Sequence, residues 1–365
     1  MKLSEVETPA LVVDLEIMDR NLRRVAEYAA ARRLRLRPHT KTHKTAELGR
    51  RQLALGAAGL TVAKVGEAEV MVDAGPADLL VAFPVVGTKK IERLIQVARR
   101  TRVTVALDSL AVARPLSQAA VRGGVSFGVL AEVDVGLGRV GVSPGTELID
   151  LVRGLKRLPG LEFDGVAFYP GHIKRLDAAG MEALDALDRL VGRMLEELRS
   201  AGCEARIVSG GSTPTLLESH RIRGMNEIRP GTYVFNDRNT VASGACGIED
   251  CAAFVLTTVV STARPGQIIL DGGSKTFSSD RLTGAEDEAG YGHVAEDPRA
   301  LFIKMNEEHG FVDVRGCAKS FEIGERVRVI PNHICTAVNL HEFIYGIRGD
   351  DVEQVWRVEG RGKIQ

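Results

Sequence analysis

The densest cluster of reactive side chains is Arg37-Pro38-His39-Thr40-Lys41-Thr42-His43-Lys44, where two histidines and two lysines share eight residues. Neighbouring cations and burial both disfavour an ammonium ion. Such crowding suits a lysine that must lose its proton near neutral pH to attack an aldehyde. A solvated basic loop would have the same composition.

Other segments carry chemistry of different kinds. In Asp134-Val135-Gly136-Leu137-Gly138-Arg139-Val140-Gly141, three glycines let a ligand approach the backbone, and Arg139 projects from the turn as a fixed cation. Glycine-rich turns also serve as ordinary punctuation. Ser209-Gly210-Gly211-Ser212-Thr213 and Arg229-Pro230-Gly231-Thr232-Tyr233 set backbone N–H groups beside hydroxyls, which suits a dianionic phosphate, though two plain turns would look alike. Phe168-Tyr169-Pro170-Gly171-His172 brings an imidazole to a strand end, as a base or as a helix cap. In Pro331-Asn332-His333-Ile334-Cys335 an extended backbone would put His333 and Cys335 on one face, so imidazole and thiolate converge on one cation. Two ligands leave such an ion open to water and substrate, and a core histidine beside a buried cysteine is the plain alternative.

The elements that must position these groups follow one rhythm through the first two-thirds of the chain. A short β-branched run, a polar or glycine-rich turn and a helical stretch recur, as in βα units. Strands are predicted at Ala10 to Val13, Gly59 to Val62, Leu79 to Ala82, Val103 to Leu107, Gly128 to Val133, Phe163 to Phe168 and Ala205 to Val208. Helices are predicted at Ile17 to Arg32, Lys90 to Arg100 and Ala183 to Ala201. Seven or eight such units fit an α/β fold of the (β/α)8 barrel type over residues 1–245 better than an open doubly wound sheet. Barrels keep active sites at the C-terminal ends of their strands and phosphate sites after strands seven and eight, where the two hydroxyl-rich loops fall. From about residue 246 to 365 the chain is β-rich, with Ala253 to Ser261, Gln267 to Asp271, Glu325 to Ile330 and Glu342 to Gly346, and the N-terminal residues can join this second domain.

The 48 basic and 48 acidic side chains cancel, which gives no field for nucleic acid or a membrane surface and directs attention to a small-molecule substrate. No apolar run approaches the roughly 20 residues that span a bilayer. Met1 to Glu7 lacks a leader pattern, so a cytoplasmic protein is expected. Cys203, Cys246, Cys251, Cys317 and Cys335 include no CxxC pair and are expected as reduced thiols.

Together these motifs resemble the D-threonine aldolase and D-serine dehydratase family, in order and over essentially the whole chain, including Thr8-Pro9-Ala10 at its start. The resemblance implies an alanine-racemase-like fold, a homodimer, pyridoxal 5'-phosphate and a divalent metal such as Mn, Mg or Zn. It implies Lys41 as the Schiff-base lysine and Arg139 beside the cofactor's phenolate oxygen or that lysine. His39 and Tyr169 would also line the cofactor, Gly210, Gly211, Ser212, Thr213, Gly231, Thr232 and Tyr233 its phosphate, and His333 and Cys335 would bind the metal. Family aldolases often carry His-x-Asp at the metal and the dehydratases Cys, whereas Glu227 to Asp237 and Asp271 to Lys275 look aldolase-like. The expected reaction is cleavage of a D-β-hydroxy-α-amino acid to glycine and an aldehyde, with Lys41, His172 and Arg139 as catalytic residues. The alternatives are a D-serine or D-3-hydroxyaspartate dehydratase, an amino-acid racemase, and a non-enzymatic pyridoxal-phosphate carrier.

Overall fold

The computed structural model describes residues 1–282 and 290–365. They form two compact units: one of Arg24–Lys41, Thr45–Gly231 and Gly362–Gln365, the other of Met1–Arg23, Thr42–Lys44 and Thr232–Arg361. In chain order the first strands are β1 (Ala10–Asp14), β2 (Arg35–Leu36), β3 (Leu60–Val62), β4 (Asp78–Val81), β5 (Arg102–Leu107), β6 (Phe127–Val133), β7 (Leu161–Phe168), β8 (Ile207–Gly210) and β9 (Glu227–Ile228). The helices among them are α1 (Leu15–Ala31), α2 (Ala46–Ala54), α3 (Val65–Met71), α4 (Thr88–Ala98), α5 (Leu110–Gly123), α6 (Thr146–Leu155) and α7 (Ala178–Ser200).

Strands β2 to β9 make an eight-stranded sheet in the order β2-β9-β8-β7-β6-β5-β4-β3. Every pairing is parallel, as helical crossovers require. The ring closes beyond β2, where His39 bridges Thr61 and Thr61 N donates to Pro38 O at 2.8 Å. β6 is buried at every position because both of its faces are covered. In α7 the buried Leu184, Leu187, Val191, Met194 and Leu198 recur at helical spacing, and Asp177 caps the first turn by accepting from Gly180 N at 2.9 Å.

Leu80, Ala106, Leu130, Ala167 and Ile207 pack together as one apolar layer. Arg37, fully buried, pairs with Glu227 at 3.0 Å and Asp78 at 2.9 Å. Burial alone would lower the pKa of Arg37, but the two carboxylates outweigh it and the guanidinium stays charged. The contacts satisfy charge more than direction, since Arg37 Nε and Nη1 and Glu227 Oε2 make no aligned hydrogen bond. Replacing Arg37 with methionine strands the buried Glu227 carboxylate and removes a cation from the half-buried Asp78. The variant is expected to lose roughly 3–5 kcal/mol and to melt at a lower temperature in calorimetry; an unchanged midpoint would show that the carboxylates are held by other means.

The other unit contains β1 and β10 (Ala253–Arg264), β11 (Gln267–Leu270), β12 (Gly292–Val294), β13 (Leu301–Met305), β14 (Gly310–Asp313), β15 (Arg326–Pro331), β16 (Phe343–Arg348) and β17 (Asp351–Arg357), with helices α8 (Arg238–Ala242), α9 (Ser274–Phe277) and α10 (Ile334–Leu340). The sheet order is β11-β14-β13-β12-β15-β10-β1-β16-β17, and a further β10–β11 pairing closes six of these strands into a ring. Ala10 to Val13, which reads as the first barrel strand, instead lies here, antiparallel to β10 and parallel to β16. An all-apolar strand suits any doubly covered position, so its composition does not tell which sheet receives it. Residues 232–245 also group with this unit rather than with the barrel. Ala252 N donates to Phe235 O at 2.7 Å and Asn236 Nδ2 to Asp250 O at 3.0 Å, tying that segment to the start of β10. No helix among the described residues is long and apolar enough to cross a membrane.

Candidate active site

The barrel unit carries Lys41, His39, Arg139, Tyr169, His172, Gly210, Gly211, Ser212, Thr213 and Gly231; the β-rich unit carries Thr232, Tyr233, His333 and Cys335. Lys41 is exposed at the end of the segment that prolongs β2, and its backbone N–H points to His39 Nδ1 at 3.4 Å. Lys44, the other lysine of that cluster, differs. It is buried in the β-rich unit at a left-handed backbone position (φ 54°), with Nζ donating to Gly360 O at 3.3 Å.

The turn after β6 is organised by Asp134, whose Oδ1 accepts from Gly136, Leu137 and Gly138 N–H at 3.0–3.1 Å. The backbone hydrogen bonds from Gly136 and Gly138 hold its pKa below the usual carboxylate value, helped by the nearby His172. Gly136 has φ 121°, and an added Cβ there would come within 3.3 Å of the His172 ring. The guanidinium of Arg139 lies 5.0 Å from the centre of the Tyr169 ring, within cation–π range. The residues predicted from two separate motifs, Arg139 with Tyr169 and the glycine turn with His172, thus meet at the C-terminal ends of β6 and β7.

The two phosphate-type loops follow β8 and β9, the seventh and eighth barrel strands in chain order. Gly211 turns the first loop at φ 90°, and a Cβ on Gly210 would meet the Phe168 ring at 2.4 Å, so both positions require glycine. Ser212 Oγ bonds Thr215 Oγ1 at 3.0 Å, and the buried Thr215 holds Ser219 Oγ through its carbonyl at 3.1 Å. Arg229 in the second loop donates through Nη2 to Phe168 O at 3.1 Å, while its buried Nη1 has no hydrogen-bond partner among the described residues. Burial lowers the pKa of Arg229 against the opposing pull of Glu132, whose own pKa burial raises. A buried, open cationic donor beside glycine-built loops fits an anionic aromatic cofactor.

His333 and Cys335 come together by a different geometry from the extended one expected. The helix α10 starts at Ile334, so His333 is its N-cap residue and Cys335 lies in its first turn. His333 Nδ1 lies 3.2 Å from Asp237 Oδ2, and Asp237 is buried. Burial disfavours the imidazolium, yet the Cys335 sulfur and the Asp237 carboxylate outweigh it and push the His333 pKa up to about 11. Cys335 Sγ is hydrogen-bonded to Thr42 Oγ1 at 3.2 Å and lies 3.9 Å from Thr232 Oγ1. Thr232, expected among the phosphate residues, therefore lies beside the sulfur of Cys335. Among the described residues no cluster of three or more His, Cys, Asp or Glu side chains could hold a metal ion. The imidazole and thiol lie close together, with Nδ1 facing Asp237, and the pair fits a divalent ion whose remaining positions would be left to water and substrate.

Asp134, Glu132, Thr215, Arg229, Asp237 and Thr42 had no role in the sequence reading. Glu132 had a visible signal, a lone charge in the apolar run Gly128 to Val133, and Arg229 stands inside one of the loop motifs. The others acquire their roles only through folded contacts.

Two family models match the chain: "Alanine racemase, N-terminal domain" over residues 13–239 and "Putative serine dehydratase domain" over residues 252–347. A D-threonine aldolase of an Arthrobacter species is 34% identical, covering 99% of this chain and 94% of that protein. A D-threo-3-hydroxyaspartate dehydratase of Delftia is also 34% identical, covering 97% of each. The crystal structure of D-threonine aldolase from Filomicrobium marinum matches with a TM-score of 0.93 at 32% identity, over 100% of this chain and 98% of that one. With an eight-stranded parallel barrel, a β-rich second unit and this chain-long likeness, the protein belongs to the alanine-racemase-fold family of D-threonine aldolases and D-serine dehydratases.

Proposed function

We propose that this protein is a pyridoxal-phosphate- and metal-dependent lyase that cleaves D-β-hydroxy-α-amino acids to glycine and an aldehyde. The observation that carries the reading is the His333 and Cys335 donor pair, oriented by Asp237, in a chain similar throughout to D-threonine aldolases. A racemase has no use for such a pair, and a bare cofactor carrier has no use for the β-rich unit that holds it.

Pyridoxal phosphate, when bound, supplies a ring that accepts the electrons of a bond to Cα, and the metal supplies a Lewis acid for the substrate β-hydroxyl. Lys41 Nζ holds the cofactor covalently. The Gly210–Thr213 loop, with Gly231, Thr232 and Tyr233, binds the phosphate through N–H and O–H donors. Arg139 and Tyr169 line the cofactor with His39, and Arg229 offers its open N–H to an acceptor on it. His172 takes the β-hydroxyl proton on its imidazole, and the Asp134 carboxylate steadies the resulting cation. His333 and Cys335 would hold the ion, Mn, Mg or Zn, through an imidazole nitrogen and a thiolate. By the same family resemblance the chain works as a homodimer in the cytoplasm.

A dehydratase reading shares Lys41 and the metal pair, and Cys335 favours it, because the family's dehydratases carry a cysteine there. The fork would be whether the bond broken at Cα is the one to Cβ or the one to hydrogen. Incubation with D-threonine is expected to give glycine and acetaldehyde in equal amounts, measured by amino-acid analysis and an aldehyde-coupled assay. Ammonia and a 2-oxo acid with no glycine would replace the aldolase reading with the dehydratase one.

A further inference from the structure

Asp237 is nearly inaccessible, with 1% of its surface exposed, and four donors converge on its carboxylate. Oδ1 accepts from Thr240 N and Thr240 Oγ1, both at 2.8 Å, which caps α8. Oδ2 accepts from Ile334 N at 3.0 Å and faces His333 Nδ1 at 3.2 Å. An ionised carboxylate only accepts, so Nδ1 must carry the proton of that contact. The lone pair of the neutral ring then belongs to Nε2. The surrounding backbone keeps this arrangement from rotating away: Asn239 N donates to Asn332 O at 3.1 Å and Arg238 Nη1 to Asn332 Oδ1 at 2.8 Å. The start of α8 is therefore stitched to the three residues that lead into α10.

We propose that Asp237 is a positioning residue for the metal centre, fixing the tautomer and ring orientation of His333 so that Nε2 is presented to the ion. The proposal rests on the reading of His333 and Cys335 as metal ligands. A hydrogen-bonded carboxylate on the far nitrogen of a ligating histidine commonly contributes 10–100-fold in metal affinity (about that range). Asp237→Asn is nearly isosteric. Keeping the cap on Thr240 turns its amide N–H toward Nδ1 and Ile334 N, where a donor meets donors, and this drives the ring proton to Nε2.

The test is competition of Mn²⁺ or Zn²⁺ between a fluorescent chelating indicator and the cofactor-loaded, metal-stripped protein. His333→Ala is expected to bind far more weakly than wild type but still measurably through Cys335, and Asp237→Asn to bind about 10–100-fold more weakly than wild type with its cofactor absorbance and circular dichroism intact. Thr240→Ala, which removes part of the cap without touching His333, is expected to lower the melting temperature and leave metal affinity unchanged. The double variant His333→Ala/Asp237→Asn should be no weaker than His333→Ala alone. Asp237→Asn binding metal as wild type does, or a fully additive double variant, would overturn the role of Asp237 while leaving the metal site in place. Equal binding by wild type and His333→Ala would remove the metal site itself, and the proposal with it. Should Asp237→Asn not fold, ¹⁵N spectra of the imidazoles in metal-loaded wild type decide the matter: a protonated Nδ1 on His333 is expected, and a metal-bound Nδ1 refutes it.

Discussion

Lys41→Ala is expected to abolish turnover and to leave no pyridoxyl label after borohydride reduction, whereas reduced wild type should carry the label on the tryptic peptide containing Lys41. The loss should exceed the about 10²–10⁴-fold typical of removing one acid–base group, because the cofactor's covalent anchor disappears as well. The structure gives a physical reason to prefer this lysine over its neighbour. Lys44 is buried, donates to Gly360 O and occupies a left-handed backbone position, so its amine is committed to holding the chain. Lys41 is exposed at the C-terminal end of a barrel strand, the end at which barrel enzymes place their reactive groups. Lys44→Ala is accordingly expected to cost stability and to keep the label. Mapping of the reduced pyridoxyl group to Lys44 would reverse the assignment.

The second large effect concerns the metal pair. Exhaustive chelation, or His333→Ala, is expected to lower turnover by about 10²-fold or more, since a Lewis acid at a developing alkoxide contributes several kcal/mol and each ~1.4 kcal/mol is tenfold. The cofactor absorbance should persist, because neither the Lys41 amine nor the Gly210–Thr213 loop proposed to hold the cofactor is a ligand of the ion. Re-addition of Mn²⁺ or Zn²⁺ should restore wild type and leave His333→Ala inactive. Full turnover to glycine and aldehyde at negligible metal content would remove the ion from the mechanism.

Much of the barrel is legible because β4 to β8 are runs of buried β-branched and small apolar residues, a signal that survives without any tertiary knowledge. β2 and β9 are only two residues long, below the reach of any periodicity, yet they carry the Lys41 segment and the Arg229 loop. The site motifs were readable as chemistry, and the order of the strands places the two loops after the seventh and eighth. Alternation along a strand would put His333 and Cys335 on one face, whereas the start of α10 brings the same two side chains together through a helix N-terminus. Asp237 has no role legible in the sequence, because its partner His333 lies 96 residues along the chain and only folding brings them together.

The position of β1 has a consequence for how the molecule is made. Leu11 pairs with Val255 on one side and Ile344 on the other, so a central strand of the β-rich sheet is synthesised before the barrel and both of its neighbours after it. Contacts of such sequence separation are slow to form, since the loop must close before any pairing rewards it. While the ribosome works through the barrel, β1 waits with both of its edges unpaired, and such edges invite association with other chains. A truncation after β15 would therefore leave Ala10–Asp14 with half of its partners, and the two units are not separable by a single cut in the gene.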